Sequence, residues 1–393
     1  MTDKLKFAVI GVGIMGSSHV RDISASENIA LAAICDIDPQ RAKAAAAPHG
    51  VPAYTDYKEM IAKEKLDGII IATPHYFHTP IAIHAMLHGV NVLSEKPEAV
   101  TVKDAHSMND AYEEAKQKYP NLVFAIMFQN RTAGVYAKLK EMIANGDLGN
   151  LVRTTWLVTD WFRTQAYYDN GGWRATWRGE GGGVLLNQCP HNLDLYQWLV
   201  GLPKKVTGFA AIGKYHNIEV EDEVTAFFQH ENGMVGHFVT TTAESPGTNR
   251  LEIIGEKGKV VVEGGKILFT RNEMPMFEFL RTTPELFAKV PNKTEEVDYE
   301  HGGGAHKIVT EAFAQAIRTP GSPLIAEGPE GIRGLSLSNA IMLSSWTGQT
   351  VELPLDEDLY EKKLQALIAT SRFQKTVTGS GEVADVSSSF QKS

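Results

Sequence analysis

The chain contains the stretch AVIGVGIMGSSHV at residues 8–20, which decides the fold of its first part. Gly11, Gly13 and Gly16 directly follow an apolar run and open a segment with helical spacing. Glycines at this spacing also arise by chance. Here, however, a strand pattern precedes them, a helix pattern follows, and Asp36 lies twenty positions beyond the third glycine. That context predicts a Rossmann unit that binds a dinucleotide.

Each residue of this glycine turn has a physical role. Gly11 permits the tight turn after the strand, Gly13 leaves room for a pyrophosphate, and Gly16 lets helix and strand pack closely. The helix begins at Ile14 and Met15, where backbone N–H groups and the positive end of the helix dipole favour anionic phosphates. The alternative interpretation is that the glycines form ordinary turns in an α/β domain without a ligand.

Asp36 predicts which dinucleotide is bound. It ends the predicted second strand, where its carboxylate can accept hydrogen bonds from both hydroxyls of the adenosine ribose. The same negative charge repels the 2′-phosphate of NADP, and no Ser-Arg pair follows to bind one. NAD is therefore the predicted cofactor.

The spacing of apolar residues predicts two domains. Apolar runs alternate with helical segments up to about residue 128, which is typical of a doubly wound parallel sheet. After Gly149, strands follow one another with turn dipeptides such as Asn232-Gly233 between them, which predicts hairpins in a large, open, mainly antiparallel sheet. We expect an α/β chain with an NAD-binding Rossmann domain at 1–130, an α+β domain for substrate binding and oligomerisation at 131–372, and a flexible tail at 373–393.

Composition argues against several classes of protein. The net charge of -9 and the lack of a basic stretch argue against nucleic-acid binding. No apolar run approaches the ~20 residues of a membrane span. Two cysteines, Cys35 and Cys189, are too few for a disulfide framework, so a reducing cytoplasm is the expected location. His84 and His88 have the spacing of a zinc pair but lack a third ligand, so no metal is expected.

Three further segments carry motifs: ATPHYFHTPIAIHAMLHG (72–89), LSEKPEAVT (93–101) and GGGVLLNQCPHNLDLYQWLVG (181–201). They resemble the motifs of the glucose–fructose oxidoreductase / inositol dehydrogenase (Gfo/Idh/MocA) family, and the likeness extends over most of the chain. The resemblance implies an NAD-dependent oxidoreductase that acts at a ring carbon of a sugar or cyclitol. It also implies cofactor contacts from Thr73, Pro74 and His78.

The resemblance fails at two positions of the third segment. The family usually has an aspartate four residues before its histidine, and this chain has Asn187 there. Cys189 stands where a glycine is common, although some sugar-oxidising branches resemble this Asn-Gln-Cys-Pro-His form. Asn187 is therefore expected to hydrogen-bond the substrate without supplying a charge.

Lys96 and His191 are the predicted catalytic residues. Oxidation of a secondary alcohol needs a base for the hydroxyl proton and a cation near the developing alkoxide. His191 begins a helix, whose dipole favours the neutral imidazole, and Asp194 either orients the ring or matches the dipole. Lys96 follows a buried strand and precedes Pro97, which predicts a donor to the hydroxyl in the ligand crevice; a surface lysine is the alternative. Glu95 either contacts the nicotinamide ribose or positions Lys96.

The segment TDWFRTQAYYDNGGWRATWRGE (159–180) is dense in aromatic and guanidinium groups. Flat rings stack on the C–H faces of sugars, and arginine and tyrosine tips bond hydroxyls. Tyr168, Arg163 and Trp173 are the predicted substrate contacts. The alternative is a cluster that packs a loop or an interface. A glycine loop at 301–307 either lines the pocket or is a long connection.

Three functions are compatible with these features. The leading hypothesis is an NAD-dependent dehydrogenase of a sugar, glycoside or cyclitol hydroxyl, with a glycoside 3-hydroxyl as the narrower expectation. The second is an NAD-retaining, redox-neutral glycoside hydrolase or epimerase-like enzyme, and the third is a non-catalytic NAD-binding regulator. The expected partners are a small carbohydrate or cyclitol and further copies of the chain, in a dimer or tetramer that buries the open sheet.

Overall fold

The computed structural model describes residues 4–371, so the predicted tail at 373–393 lies outside the described residues. These residues contain one sheet of six strands and one of nine. The two sheets confirm the predicted fold class, a Rossmann unit followed by an α+β unit with a mainly antiparallel sheet.

The first sheet is parallel throughout, and its central strands are buried on both faces. Its strands are β1 (Leu5–Ile10), β2 (Ile29–Cys35), β3 (Ala53–Tyr54), β4 (Gly68–Ile71), β5 (Asn91–Ser94) and β6 (Phe124–Ile126). The order across the sheet is β3-β2-β1-β4-β5-β6, that of a doubly wound Rossmann sheet. The edge strand β3 was not predicted, because two residues carry no periodic pattern.

Six helices follow these strands: α1 (Ile14–Ser24), α2 (Pro39–Ala46), α3 (Tyr57–Lys63), α4 (His78–Leu87), α5 (Val102–Lys118) and α6 (Gly134–Ala144). Short polar side chains start several of them. The Asp38 carboxylate accepts hydrogen bonds from the N–H groups of Gln40 and Arg41 and so caps α2. The Thr101 hydroxyl accepts from the Asp104 N–H and caps α5 in the same way.

The second sheet contains β7 (Leu151–Val158), β8 (Lys205–Ile212), β9 (Glu221–Gln229), β10 (Val235–Thr241), β11 (Asn249–Gly255), β12 (Gly258–Glu263), β13 (Lys266–Asn272), β14 (Asn292–Val297) and β15 (Val351–Glu352). Its order is β14-β13-β12-β11-β7-β10-β9-β8-β15. The predicted Asn232-Gly233 turn joins β9 and β10 as an antiparallel pair, with Gly233 at φ +87°. Only β7 and β10 pair in parallel among the described strands of this sheet.

The remaining helices are α7 (Gln165–Asp169), α8 (Pro190–Val200), α9 (Met276–Thr282), α10 (His306–Arg318), α11 (Gly331–Thr347) and α12 (Glu357–Thr370). Helix α11 packs against α8 and against β8 and β15, the last two strands at one edge of the second sheet. Gly208 permits this close approach, since a Cβ there would lie 2.6 Å from the carbonyl oxygen of Ile341.

Helix α10 follows the second sheet in sequence but packs against the first. The Phe313 ring lies 5.5 Å from the Phe7 ring between their centroids. The Glu311 carboxylate accepts a hydrogen bond of 2.6 Å from the Ser26 hydroxyl at the end of α1. The predicted division at residue 130 separates the two sheets, and we propose that α10 be counted with the Rossmann unit.

Candidate active site

The glycine turn follows β1 at its carboxyl end. Gly11 has φ +83°, and a Cβ at Gly16 would lie 1.8 Å from the Gly11 carbonyl oxygen, so only glycine fits there. A Cβ at Gly13, in contrast, would meet no atom within 4 Å. Ile14 and Met15 form the first turn of α1 behind this open space. This open space forms a cradle that a side chain at Gly13 would fill. The cradle fits the pyrophosphate of NAD.

Asp36 is held beside the glycine turn by backbone donors. Its carboxylate accepts hydrogen bonds of 2.9 Å from the N–H of Val12 and 2.9 Å from the N–H of Asp38. It also pairs with the half-exposed Arg41 guanidinium at 3.2 Å. The sequence reasoning missed Arg41, because it considered only an arginine directly after the acidic residue, and Arg41 lies in the first turn of α2.

Thr73 and Pro74 follow β4 at the same edge of the sheet, and both are half-buried. His78 is fully buried between two loops: its Nδ1 lies 2.8 Å from the Pro97 carbonyl and its Nε2 2.9 Å from the Thr73 carbonyl. Burial lowers the pKa of His78, although the two carbonyls oppose this shift. His78 thus connects the loop after β4 to the loop after β5, and both of its ring nitrogens contact the protein.

Glu95 lies in a buried cluster with two histidines. The His19 Nε2 atom is 2.8 Å from Glu95 Oε1, and the His306 Nε2 atom is 3.9 Å from it. Burial alone would raise the pKa of Glu95, but the hydrogen bond and charge of His19, with His306 and Lys96 nearby, hold it well below its usual range. His306 begins α10 directly after the glycines of the segment at 301–307, so this segment reaches the site. The sequence reasoning missed both histidines.

Lys96 follows β5 and extends towards the second domain. Its ammonium donates a 2.7 Å hydrogen bond to the Asn187 carbonyl, and the side chain is half-buried. The peptide bond between Lys96 and Pro97 is cis. Burial lowers the pKa of Lys96 below its usual range. The contact brings together two of the three segments that carry the family resemblance.

His191 is the second residue of α8 and is 4% exposed. Its Nε2 lies 3.2 Å from the Gln129 amide nitrogen, and its ring packs edge-on against Phe128. The Asp194 carboxylate accepts hydrogen bonds of 2.6 and 2.8 Å from the Arg131 guanidinium. Asp194 therefore connects α8 to the turn before α6 through an ion pair. This role differs from the two expected ones, which were to orient the His191 ring or to match the helix dipole.

Tyr168 and Arg163 have structural partners. The Tyr168 ring is buried, and its hydroxyl donates to the Thr242 hydroxyl at 2.8 Å. The Arg163 guanidinium stacks at 5.4 Å from the Trp161 ring centroid and 5.1 Å from that of Tyr167. These contacts match the loop-packing alternative for this segment more closely than direct binding of a substrate.

Tyr167 and Arg174 belong to the predicted aromatic segment but were not among its preferred substrate contacts. Arg174 donates a 2.8 Å hydrogen bond to the Tyr167 hydroxyl, which lies 3.4 Å from Asn187 Oδ1. Arg174 also stacks on Trp173, whose ring packs edge-on against His75. A tyrosine pair in the five-residue helix α7 has no periodic pattern that tells which ring faces the site.

Two family models match the chain. A model described as "Oxidoreductase family, NAD-binding Rossmann fold" matches residues 5–121, and one described as "GFO/IDH/MocA C-terminal domain" matches residues 136–261. The chain belongs to the Gfo/Idh/MocA family. This confirms the resemblance seen in the three segments, the oxidoreductase that it implies, and the NAD-binding unit predicted from the glycine turn and Asp36.

Members of the Gfo/Idh/MocA family with known names are moderately similar to the chain. Inositol 2-dehydrogenase of Salmonella typhimurium is 32% identical over 148 residues, which span 37% of this chain and less than half, 43%, of that protein. Levoglucosan dehydrogenase of Pseudarthrobacter phenanthrenivorans is 28% identical over 65% of this chain and 73% of its own length. The WlbA dehydrogenase of Bordetella pertussis, in complex with NADH and UDP-GlcNAcA, is 28% identical, with a TM-score of 0.75 over 90% of this chain and 100% of that one.

Two negative findings apply to residues 4–371 of this Gfo/Idh/MocA oxidoreductase. No group of three or more His, Cys, Asp or Glu side chains in that range is arranged to hold a metal ion. The rings of His84 and His88 lie 4.2 Å apart between their centroids on α4. No helix in the same range is both long and apolar enough to cross a membrane.

Proposed function

We propose that the chain oxidises a secondary hydroxyl of a sugar, glycoside or cyclitol and transfers the hydride to NAD. The observation that carries the proposal is the Lys96 ammonium, which donates to the Asn187 carbonyl at 2.7 Å. This contact lies at the carboxyl edge of the parallel sheet, where such folds bind their ligands, and Asn187 stands four residues before His191.

Bound NAD would supply the hydride acceptor, the C4 carbon of its nicotinamide. The residues proposed to hold it are Gly11, Gly13, Ile14, Met15, Gly16, Asp36, Thr73, Pro74, Glu95 and Lys96, with His78 supporting Thr73. The main support is the fit of the pyrophosphate to the cradle at Gly13 and of the ribose to the Asp36 carboxylate. The buried Glu95 carboxylate keeps its negative charge because His19 bonds it.

In the proposed reaction, Lys96 and His191 divide the work at the hydroxyl. Lys96 donates a hydrogen bond to the hydroxyl oxygen and stabilises the negative charge that develops there. His191 accepts the proton, and its ring packs edge-on against Phe128. The burial of His191 and the half-burial of Lys96 limit the water that competes for these contacts.

We propose that the sugar ring lies against Tyr167, Arg174 and Trp173, with Asn187 bonding one of its hydroxyls. Tyr167 is preferred to Tyr168 because its hydroxyl shares hydrogen bonds with Arg174 and Asn187. Arg163 contributes by stacking on the Tyr167 ring. The narrower proposal is oxidation of a glycoside 3-hydroxyl; the names of the relatives, which act on an inositol and on levoglucosan, support the broad class.

A screen for NADH formation tests this proposal. The purified chain is incubated with NAD and a panel of pyranoses, alkyl glycosides and inositols, and NADH is followed by its absorbance. We expect NADH to accumulate with at least one panel member, and more slowly with NADP in place of NAD because of the Asp36 charge. Consumption of a glycoside without net NADH would support the NAD-retaining alternative. NAD binding without any turnover would leave the regulator as the function.

We further propose that a second copy of the chain covers the open face of the second sheet. The side chains on this face include apolar ones: Leu157, Phe209, Phe227, Val235, Val239, Ile254 and Leu268. Phe209 is 70% exposed in the single chain. Light scattering should give a molar mass of two or four times 43.1 kDa, and Phe209→Asp should lower it. A wild-type mass of one chain would contradict this proposal.

A reducing cytoplasm is the proposed location. Cys35 and Cys189 are both buried thiols with no disulfide between them. Burial raises the pKa of the Cys35 thiol to about 12, so this thiol is protonated and unreactive at neutral pH. Fractionation of cells that produce the chain checks the location, and recovery outside the cytoplasm would contradict it.

A further inference from the structure

Asn187 stands where the family usually has an aspartate, and a buried carboxylate lies directly against it. The Glu180 Oε1 atom accepts a hydrogen bond from the Asn187 side-chain amide. The Glu180 Oε2 atom accepts a second bond, 2.5 Å long, from the N–H of Ala175, and the residue is 2% exposed. The carboxyl group that is missing at residue 187 is therefore present one hydrogen bond further away.

The bond to Glu180 decides which way the Asn187 amide points. Because Nδ2 donates to Glu180, Oδ1 faces the Tyr167 hydroxyl at 3.4 Å and the Gln188 amide at 3.2 Å. The backbone carbonyl of Asn187 accepts the bond from Lys96. Asn187 thus connects the buried carboxylate to the proposed catalytic lysine and to the proposed sugar-binding tyrosine.

We propose that Glu180 is a positioning residue, which orients the Asn187 amide so that Oδ1 accepts a hydrogen bond from a hydroxyl of the bound sugar or cyclitol in place of the long, 3.4 Å bond from the Tyr167 hydroxyl. The Glu180–Asn187 pair thereby replaces the single aspartate of the family. This inference rests on the proposed function, since it takes that hydroxyl as the ligand. The charge of Glu180 also acts on Lys96: burial lowers the pKa of Lys96, and the carboxylates of Glu95 and Glu180 oppose that effect.

Glu180→Gln tests the orientation without changing the size of the side chain. A glutamine amide cannot accept from both Asn187 and Ala175 without turning an N–H2 group towards one of them, so the Asn187 amide turns over. We expect kcat/KM to fall by about 10- to 100-fold, the loss typical of a hydrogen bond to a charged group, while the Kd for NAD stays unchanged. Asp169→Asn is the control, because Asp169 belongs to the same segment but bonds Gln165.

Asn187→Asp and the exchange variant Glu180→Gln/Asn187→Asp complete the test. The single variant brings two carboxylates together, so one of them keeps a proton. Its activity and melting temperature should fall as the pH rises above the usual carboxyl range, because that proton is then lost. In the exchange variant the glutamine amide donates to the aspartate, whose other oxygen still faces Tyr167. We expect this variant to recover kcat/KM to within about fivefold of the wild type and to lose the pH effect.

The outcomes are distinct. Wild-type kinetics in Glu180→Gln would overturn the inference. So would an exchange variant that is no more active and no more stable than Asn187→Asp at any pH. If the wild-type chain oxidises no sugar or cyclitol, the proposed function fails and the ligand named here fails with it. In that case the melting temperatures of the wild type, the two single variants and the exchange variant still test the hydrogen bond between Glu180 and Asn187.

Discussion

Lys96→Met is expected to lower kcat for the best carbohydrate substrate by about 10²–10³-fold. The change in the Kd for NAD should be much smaller, because the glycine turn and Asp36 still hold the cofactor. Methionine keeps the length of the lysine stem and removes the ammonium that donates to the Asn187 carbonyl at 2.7 Å. A preorganised donor at a developing alkoxide contributes about 10²–10³ in rate, and Lys96 has that role in the proposed reaction. Steady-state NADH absorbance measures kcat, and calorimetry measures the Kd.

Lys103→Met is the matched control for this prediction. Lys103 lies on the surface of α5 and pairs with the exposed Asp358 at 2.7 Å, so its loss should change kcat by no more than about twofold.

The pH dependence of the rate gives a second test of Lys96. Burial lowers the pKa of Lys96, so the wild-type rate should begin to fall at a pH below the usual pKa range of lysine. The residual activity of Lys96→Met should lack this alkaline limb. Wild-type kcat in Lys96→Met would remove the residue from the mechanism.

The features that could be predicted from the sequence depend on residues close together in the chain. A Cβ at Gly16 would lie 1.8 Å from the Gly11 carbonyl oxygen, five residues away, so the spacing of the glycines reports the turn directly. Asp36 follows β2, whose pairing with β1 brings it to that turn. The apolar runs predicted the parallel strands because each run is local in the chain. A strand that is buried on both faces of its sheet has no alternation of polar and apolar residues.

The features that could not be predicted join residues far apart in the chain. The periodicity of α10 gives it a buried face, but nothing local tells that Phe313 packs on Phe7 in the first sheet. The same is true of the site, where the partners of several residues are far away in the chain. Glu180 is the last residue of the aromatic segment, yet its bond to Asn187 depends on the loop between them. Aspartate at a helix start is common for dipole reasons, so Asp194 carried no signal that Arg131 is its partner.

Arg131→Met is expected to lower the free energy of unfolding by about 3–5 kcal/mol, the range for breaking a buried ion pair. Arg131 donates to both oxygens of Asp194, at 2.6 and 2.8 Å, and to Glu330 at 2.6 Å. The side chains of Arg131 and Asp194 are 3% and 1% exposed, so water cannot replace the lost partner. Urea unfolding followed by tryptophan fluorescence measures the change.

The loss of stability in Arg131→Met should depend on pH. Burial raises the pKa of the Asp194 carboxyl, and Arg131 opposes this shift in the wild type. Without Arg131 the pKa rises further, so the folded chain holds a proton that the unfolded chain releases. The variant should therefore be closest to the wild type in acid and lose stability as the pH rises above the usual carboxyl range.

The double variant Arg131→Met/Asp194→Leu separates the charge from the packing. It removes both buried charges, so most of the stability should return, and the pH dependence should disappear. If the double variant stays as unstable as Arg131→Met, the loss comes from the other contacts of the guanidinium, with Glu330 at 2.6 Å and with the Phe128 ring at 5.5 Å, and not from the Asp194 charge. Because α8 carries His191 at its second position, kcat adds a separate result. A stable double variant with a low kcat would mean that the ion pair positions the imidazole as well as stabilising the fold.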